Sequence, residues 1–448
     1  MEQQYDLLGV GAGIFNLSLA ALLSDNKSVT SHFLDKNTDL EWYPGLMLDN
    51  AKMQTCCIKD LVSLADPTNQ YSFLNYLSSK NRLFQFLNRS SFIISRKEFF
   101  DYAQWVSSRL SNISRGISVE KIYYKNGLFE VTTDKQSYYA KNLSISIGRN
   151  RFLPESAKVL EGDKVFHGLD YLFKKSKISN AKRIVIVGGG QTASEILLDI
   201  MDSFPRVEEI TWISRRNNFL PLDDSPFVND YYIPSYVDYF SSLDNDLKRV
   251  KHKEQRLTSD GISLDTLTEL YEKIYENSFI RKNSNLNVIL KPFRKFSEIQ
   301  KAGDGYKVIY QNMETHKSVL TEADAVIFAT GFENKFPSML SEISDLLHLD
   351  DNEQPLKVGS NFEVSWEYGH LNTIYVQNMS RFSHGPWESN ISLAAWRSAK
   401  IVNHLTQGNS YPMLNVNDSP FVSWRDSDRN NYRGLTNDQP SYVETMSA

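Results

Sequence analysis

The stretch Tyr5-Asp6-Leu7-Leu8-Gly9-Val10-Gly11-Ala12-Gly13-Ile14-Phe15-Asn16 decides the fold. A short apolar run stops at two glycines one residue apart. A helical pattern follows, with Leu19, Leu22 and Leu23 on one face. A second apolar run, His32-Phe33-Leu34, ends in Asp35. Strand, glycine turn, helix and strand make the first half of a βαβ unit. In Gly11-x-Gly13-x-x-Asn16 the glycines allow a tight turn and let backbone approach a pyrophosphate, which sits on the helix N-terminus. Asp35 stands about 20 residues on, where a carboxylate accepts hydrogen bonds from a ribose. Asn16 replaces the usual third glycine, so looser helix–strand packing is expected there.

The same grammar returns 177 positions further along. Lys182-Arg183-Ile184-Val185-Ile186-Val187 runs into Gly188-x-Gly190-x-x-Ala193, and Ile196, Leu197, Ile200 and Met201 then follow helical spacing. The next apolar run, Ile210 to Ile213, ends in Ser214-Arg215-Arg216 where an acid would otherwise stand. A guanidinium matches a 2′-phosphate in a planar, bidentate fashion, so this box favours NADPH over NADH. Strand-like Leu143–Ile147, stopping at Gly148, and Ala325–Phe328, stopping at Ala329-Thr330-Gly331, read as crossings out of and back into the first domain. The fold class is therefore α/β, with two Rossmann-like dinucleotide-binding domains, the NADPH domain inserted into the first. The polar stretch from Asp244 to Asp260 reads as loop or exposed helix. Leu264, Leu267, Leu270, Tyr271, Ile274 and Tyr275 mark an amphipathic helix with Ser263 as its cap.

Composition narrows the classes. Of 448 residues, 41% are hydrophobic and 23% charged, as in ordinary globular proteins, and the net charge of −5 gives no reason to expect nucleic acid. No apolar run reaches the ~18 residues of a membrane span, and a first strand near Tyr5 leaves no room for a signal peptide. A cytoplasmic enzyme is the natural class. The two cysteines are the neighbours Cys56 and Cys57, which excludes a disulfide framework and a multi-cysteine zinc site; no metal is expected. They are not the spaced redox pair that disulfide reductases of this architecture need. Oxygen is then the acceptor to expect, through a reduced flavin.

Trp42-Tyr43-Pro44-Gly45-Leu46-Met47, Met53-Gln54-Thr55, Lys59-Asp60-Leu61 and Leu64-Ala65-Asp66-Pro67 resemble the siderophore N-hydroxylating flavin monooxygenases, which act on lysine, ornithine and diamines. The likeness continues through Ser95 to Phe99, Gly188 to Ser194, Ser214 to Phe219, Phe227-Val228-Asn229-Asp230, Asp324 to Gly331, His384-Gly385 and Ser392 to Ala399. Thr258-Ser259-Asp260-Gly261-Ile262 is similar to the lysine and diamine branch rather than the ornithine branch. Tyr43 departs from the histidine that often follows the tryptophan, and Gly385 to Ser389 departs from the usual segment.

The resemblance implies FAD at Gly11, Gly13, Asn16 and Asp35, with Trp42 and Gln54 beside the flavin. NADPH is expected at Gly188, Gly190, Gln191, Thr192 and Arg215, with Arg96 reaching the nicotinamide nucleotide. Lys59, Asn229, Gln54 and Ser392 are expected at the substrate, Lys59 meeting its far end. No side chain is expected to do the chemistry; His384 reads as structural rather than as a base. NADPH reduces FAD, and a C4a-hydroperoxyflavin formed with O2 hydroxylates the terminal amine of a short diamine such as putrescine or cadaverine, or of L-lysine, for hydroxamate siderophore synthesis. The amine must be neutral, which costs about 4–5 kcal/mol at pH 7 and demands a partly apolar pocket. A preference for diamines is expected if Glu388 points inward to take a distal ammonium. The alternatives are an NADPH-dependent flavin oxidase or reductase releasing H2O2, an ornithine N5-hydroxylase, or a flavin-binding protein without turnover. A Baeyer–Villiger enzyme is disfavoured because residues 165–170 lack its glycine–histidine linker. The expected division is 1–170 for the first part of the FAD domain, 171–331 for the NADPH domain with a substrate segment at 217–280, 332–424 for the second part of the FAD domain with substrate-site helices, and 425–448 for a frayed polar tail. A dimer or tetramer is implied by the family alone.

Overall fold

The fold is that of a computed structural model, which describes residues 4–281, 285–350, 355–408, 410–412 and 422–425. The expected polar tail lies, but for Arg425, outside the described residues. Both βαβ units form where the apolar runs place them. Gln4–Val10 is a strand, Ile14–Leu23 a helix and Ser31–Asp35 the next strand; their counterparts are Arg183–Val187, Gln191–Ser203 and Glu209–Ile213. Every residue of the helix Ile14–Leu23 is buried, because a second layer covers it. The helix Ala394–Leu405, near the end of the described chain, packs directly against it.

The first sheet has seven strands. Ile113–Arg115, Ser31–Asp35, Gln4–Val10 and Ser137–Ile145 lie side by side in parallel, and Ile374–Val376 adds to Ser137–Ile145, also in parallel. Val119–Lys125 and Leu128–Thr133 complete it as an antiparallel meander, an element with no signal in the glycine grammar. The second sheet is wholly parallel, in the order Asn287–Lys291, Glu209–Ile213, Arg183–Val187, Ala325–Phe328, Val165–His167. Each sheet is covered on both faces by its own apolar clusters, as parallel strands require. A three-stranded antiparallel sheet, Arg294–Ala302, Gly305–Asn312 and Ser318–Ala323, flanks the second.

The two crossings are now visible as one object. The outgoing chain forms Asn150–Arg151, the returning chain Phe332–Glu333, and these pair antiparallel. The returning chain then reaches Ile374–Val376 in the first sheet. The second nucleotide fold is thus inserted in the first through a two-stranded neck. The polar stretch resolves into two helices, Asn245–Glu254 and Leu257–Asp260. Leu264–Tyr275 is helical, as its spacing predicts, with Leu267, Leu270 and Ile274 packed inward and Leu264, Tyr271 and Tyr275 exposed. Ser263 occupies the cap position, but its hydroxyl accepts from Gln54 Nε2 at 3.0 Å instead of from the helix.

Candidate functional site

The two glycine boxes obey one logic. Gly11 has φ +82°, and a Cβ there would lie 2.3 Å from the Ser146 carbonyl oxygen; Gly188 has φ +138° and would meet the Ala329 carbonyl at 2.1 Å. Those glycines are forced by the neighbouring strand. Gly13 and Gly190 are different. Each is the residue before its helix, and a Cβ on Gly13 would meet nothing within 4 Å, one on Gly190 only the Asp260 carbonyl at 3.9 Å. Protein packing does not require glycine at these two positions, whereas close approach of a phosphate to a helix N-terminus does. Both cradles fit a pyrophosphate.

Around the first cradle, Asp35 Oδ2 accepts from the Ala12 N–H at 2.7 Å and Oδ1 from the Asn37 N–H at 2.9 Å. Arg115 stands 3.9 Å away. The carboxylate braces the glycine loop and keeps acceptor sites for a ribose. Asn16 does the opposite of loosening the packing. Its Nδ2 donates to Gly11 O (2.7 Å) and Ser144 O (3.0 Å), while Oδ1 accepts from Ser144 Oγ and Gln377 Nε2, both at 2.7 Å. The side chain is fully buried and knots three segments, with no hydrogen-bonding capacity left over. Half-buried Trp42 lies against Phe99, 5.3 Å between centroids. Tyr43, held at φ +49°, reaches Phe332 on the neck, and burial pushes its phenol above the ordinary range.

Between the two domains runs a polar chain. Gln54 Nε2 meets Ser263 Oγ and, at 3.5 Å, Gln191 Oε1. Gln191 accepts from the Ser263 N–H at 2.8 Å and donates to Glu195 at 3.0 Å and Thr266 at 3.1 Å. Arg96 donates to Glu195 at 2.9 and 3.1 Å and to Leu46 O at 2.7 Å. Arg96 is thereby engaged in an interdomain ion pair, with a side chain only 14% exposed. Thr192, on the first turn of the second helix, packs its methyl against Gly168. At the end of the strand Glu209–Ile213, Arg215 is exposed and Arg216 half-buried; burial and the nearby Arg256 both lower their pKa values, with Asp260 opposing. Arg216 Nη1 is buried and makes no hydrogen bond among the described residues. Such an orphan beside the second cradle fits a 2′-phosphate.

Lys59, Asn229, Gln54 and Ser392, drawn from three distant stretches, line one pocket together with Asp224, Tyr232, Thr258, Ser259 and Asn390. Its free volume is about 30 Å3, enough for a water or two. Lys59 is half-buried with no ion-pair partner among the described residues, and desolvation holds its pKa below the usual lysine value. Asn229 Nδ2 donates to Asp224 O at 2.8 Å, capping the loop that presents both residues. Ser392 Oγ is buried without a partner among the described residues. Asp224 and Asn390 have no sequence signal of their own.

Glu388 corrects the expectation placed on it. Its carboxylate pairs with Arg397 at 2.8 Å, the two side chains being 1% and 0% exposed. The guanidinium also lies 4.3 Å from the Phe15 ring centroid. Oε1 is thus taken by Arg397 while Oε2 is buried without a hydrogen bond among the described residues, and Glu388 is not among the residues that line the pocket, so it gives no support to a diamine. His384 is buried against Phe362, and burial lowers its pKa to about 3. Cys57 is buried with its thiol pushed up to about 12, so it is an inert packing group. Among the described residues no cluster suits a metal ion, and no helix is long and apolar enough to cross a membrane.

Residues 3–334 match the model of the L-lysine 6-monooxygenase/L-ornithine 5-monooxygenase family. The chain is 35% identical over 409 residues to the L-lysine N6-monooxygenase of Escherichia coli, covering 90% of this chain and 95% of that one. Among solved structures it resembles the FAD-bound cadaverine monooxygenase of Erwinia amylovora at a TM-score of 0.88 and 26% identity, covering 94% of this chain and 98% of that one. The Kutzneria ornithine N-hydroxylase, with reduced FAD, NADP+ and L-ornithine, matches at a TM-score of 0.83 and 26% identity, covering 90% and 99%. With two cradles that fit FAD and NADPH, and a pocket at their junction, the chain belongs to the L-lysine 6-monooxygenase/L-ornithine 5-monooxygenase family of flavin-dependent N-hydroxylating enzymes.

Proposed function

We propose that this enzyme N-hydroxylates the side-chain amine of L-lysine for siderophore assembly, with O2 as co-substrate. The carrying observation is the half-buried ammonium of Lys59 in the junction pocket, which has no ion-pair partner among the described residues. A cation there attracts a substrate carboxylate and repels a second ammonium, so an amino acid suits it better than a diamine. Asp224, lining the same pocket, is available for the α-ammonium, and Asn229 and Ser392 supply neutral hydrogen bonds. FAD and NADPH supply the activation of oxygen; the chain's own task is to hold the amine, keep it neutral and exclude water. Among the described residues Leu222 is the one aliphatic residue of the pocket's lining, and the reacting amine, kept neutral, is placed against it and the Tyr232 ring.

The remaining site assignments are part of the same reading. Gly11, Gly13 and Asp35 hold FAD directly, Asn16 fixes the loop that does so, and Trp42 and Gln54 border the flavin. Gly188, Gly190, Gln191, Thr192 and Arg215 hold NADPH, Arg96 acting from its ion pair with Glu195. The FAD domain ends near the neck at Asn150–Arg151 and resumes at Phe332–Glu333. We infer a cytoplasmic enzyme, and a dimer or tetramer.

A second reading takes a diamine such as cadaverine, its distal ammonium on Asp224. The test is hydroxylamine formed per NADPH consumed with L-lysine, cadaverine, putrescine and L-ornithine. Tight coupling with L-lysine is expected; cadaverine outperforming it would overturn the carboxylate argument, and H2O2 alone with every amine would overturn the N-hydroxylase reading.

A further inference from the structure

Beyond Arg215 and Arg216, two more guanidinium groups gather at the end of the strand Glu209–Ile213. Arg256 Nε lies 3.7 Å from Asp260 Oδ2, and Arg381 Nη2 lies 3.2 Å from Asp260 Oδ1. Arg215 and Arg216 both feel Arg256 as a repelling neighbour and Asp260 as an attracting one. These four cations, with Arg149 as a fifth that feels both Arg381 and Asp260, share one carboxylate. Glu388, which Arg149 also feels, is committed through one oxygen to Arg397. Such a surplus, with Arg216 Nη1 buried and unbonded among the described residues, calls for an anion.

The segment that carries Arg256 has a second attachment. Asp260 lies over the second cradle, its carbonyl 3.9 Å from where a Gly190 Cβ would be. Arg381 holds Ser259 Oγ at 2.7 Å as well as Asp260. Thr258 and Ser259 line the pocket that contains Lys59 and Asn229. Within five residues, 256–260, the coenzyme face and the amine pocket share one piece of backbone.

We propose that Arg256 is a third guanidinium for the 2′-phosphate of NADPH, and that through it coenzyme occupancy tightens the amine pocket. At 3.7 Å its contact with Asp260 is too long for a hydrogen bond, so a doubly charged phosphate beside Arg215 and Arg216 draws it away. Asp260 is then left to Arg381, which fixes Ser259 in the pocket wall. The coupling is reciprocal: bound amine raises affinity for the phosphate by the same factor.

The inference rests on the NADPH site at Arg215, and the experiment separates the two. FAD-loaded protein is titrated calorimetrically with 2′,5′-ADP and with 5′-AMP. Arg256→Met is expected to weaken 2′,5′-ADP about tenfold, the loss of one charge-assisted hydrogen bond, and to leave 5′-AMP unchanged. In the wild type, saturating 2′,5′-ADP is expected to tighten the amine that the enzyme hydroxylates; in Arg256→Met that gain disappears. If Arg215→Ala weakens 2′,5′-ADP while Arg256→Met does not, the proposal is overturned and the NADPH site stands; if neither does, both fall. Should Arg256→Met fail to fold, phenylglyoxal labelling of the wild type decides, since Arg256 is 41% exposed. Protection of Arg256 by 2′,5′-ADP but not by 5′-AMP supports the proposal, and equal labelling with either nucleotide refutes it.

Discussion

Replacing Lys59 with Met tests the substrate reading, because its effect should change sign between two amines of equal length. Methionine fills most of the volume of the lysine stem and removes the charge. With L-lysine the loss is a charge-assisted hydrogen bond to the carboxylate, about 1.5–3 kcal/mol. That corresponds to roughly a 10- to 150-fold rise in KM. Cadaverine is L-lysine without its carboxylate: it keeps an ammonium at that end of the pocket and loses the group that Lys59 attracts. Two cations about 4 Å apart at an effective dielectric near 20 repel by about 4 kcal/mol, an upper bound because the ligand can shift and solvent screens it. Cadaverine KM should therefore stay level or fall. A pH series adds an independent check. Burial holds Lys59 below the usual lysine pKa, so its cation is lost as pH rises through that lowered value, and the wild-type KM for L-lysine rises there. Lys59→Met should lack that limb. The assay is hydroxylamine yield against amine concentration at fixed NADPH and O2. An equal loss with both amines would make Lys59 a structural residue and end the carboxylate argument.

Other perturbations follow from the same geometry. Arg215→Ala should raise the KM for NADPH by about 10-fold or more while sparing NADH, read from initial rates with each nucleotide; an unchanged preference would remove that residue from the 2′-phosphate site. Gly13→Ala should leave the melting temperature of the FAD-free protein unchanged but weaken FAD binding, whereas Gly11→Ala should lower the melting temperature itself, since its Cβ would lie 2.3 Å from a carbonyl oxygen. Fluorescence titration with FAD and thermal melts separate the two, and equal melts would show that the boxes are not divided as described. Asn16→Gly restores the glycine usual at that position, yet it should destabilise by roughly 2–4 kcal/mol because several buried partners are orphaned at once. A denaturant midpoint unchanged from wild type would mean that waters satisfy the knot.

The βαβ units were legible because their signal is local: an apolar run, two glycines and a helical stripe determine the turn whatever surrounds them. Even the insertion showed, as two strand-like runs ending in glycine. The functional pocket was legible only through resemblance. Lys59, Asn229 and Ser392 come from stretches more than 150 residues apart in sequence, and no spacing rule joins them. Asn16 marks the limit of motif reasoning. A motif says what glycine allows at that position, whereas the asparagine's consequence depends on Ser144 and Gln377, the latter 361 residues away.

Glu388 carries the same lesson into energetics. An acid in a departing segment near a substrate motif invites a ligand role, and only the Arg397 partner cancels it. The pair costs desolvation of both ions, which their attraction and the ring of Phe15 must offset. Its position explains why that cost is tolerated. The two residues bracket Asn390 and Ser392, both of which line the pocket, so the ion pair closes the segment between them into a loop with fixed ends. Removing one partner leaves a bare charge in the core and should cost about 3–5 kcal/mol. Glu388→Gln with Arg397→Met removes both charges and should recover much of that stability in a denaturant titration. If the loop reading holds, the double variant still raises amine KM while NADPH oxidation without amine persists. Full recovery of both stability and amine KM would reduce the pair to a dispensable packing feature.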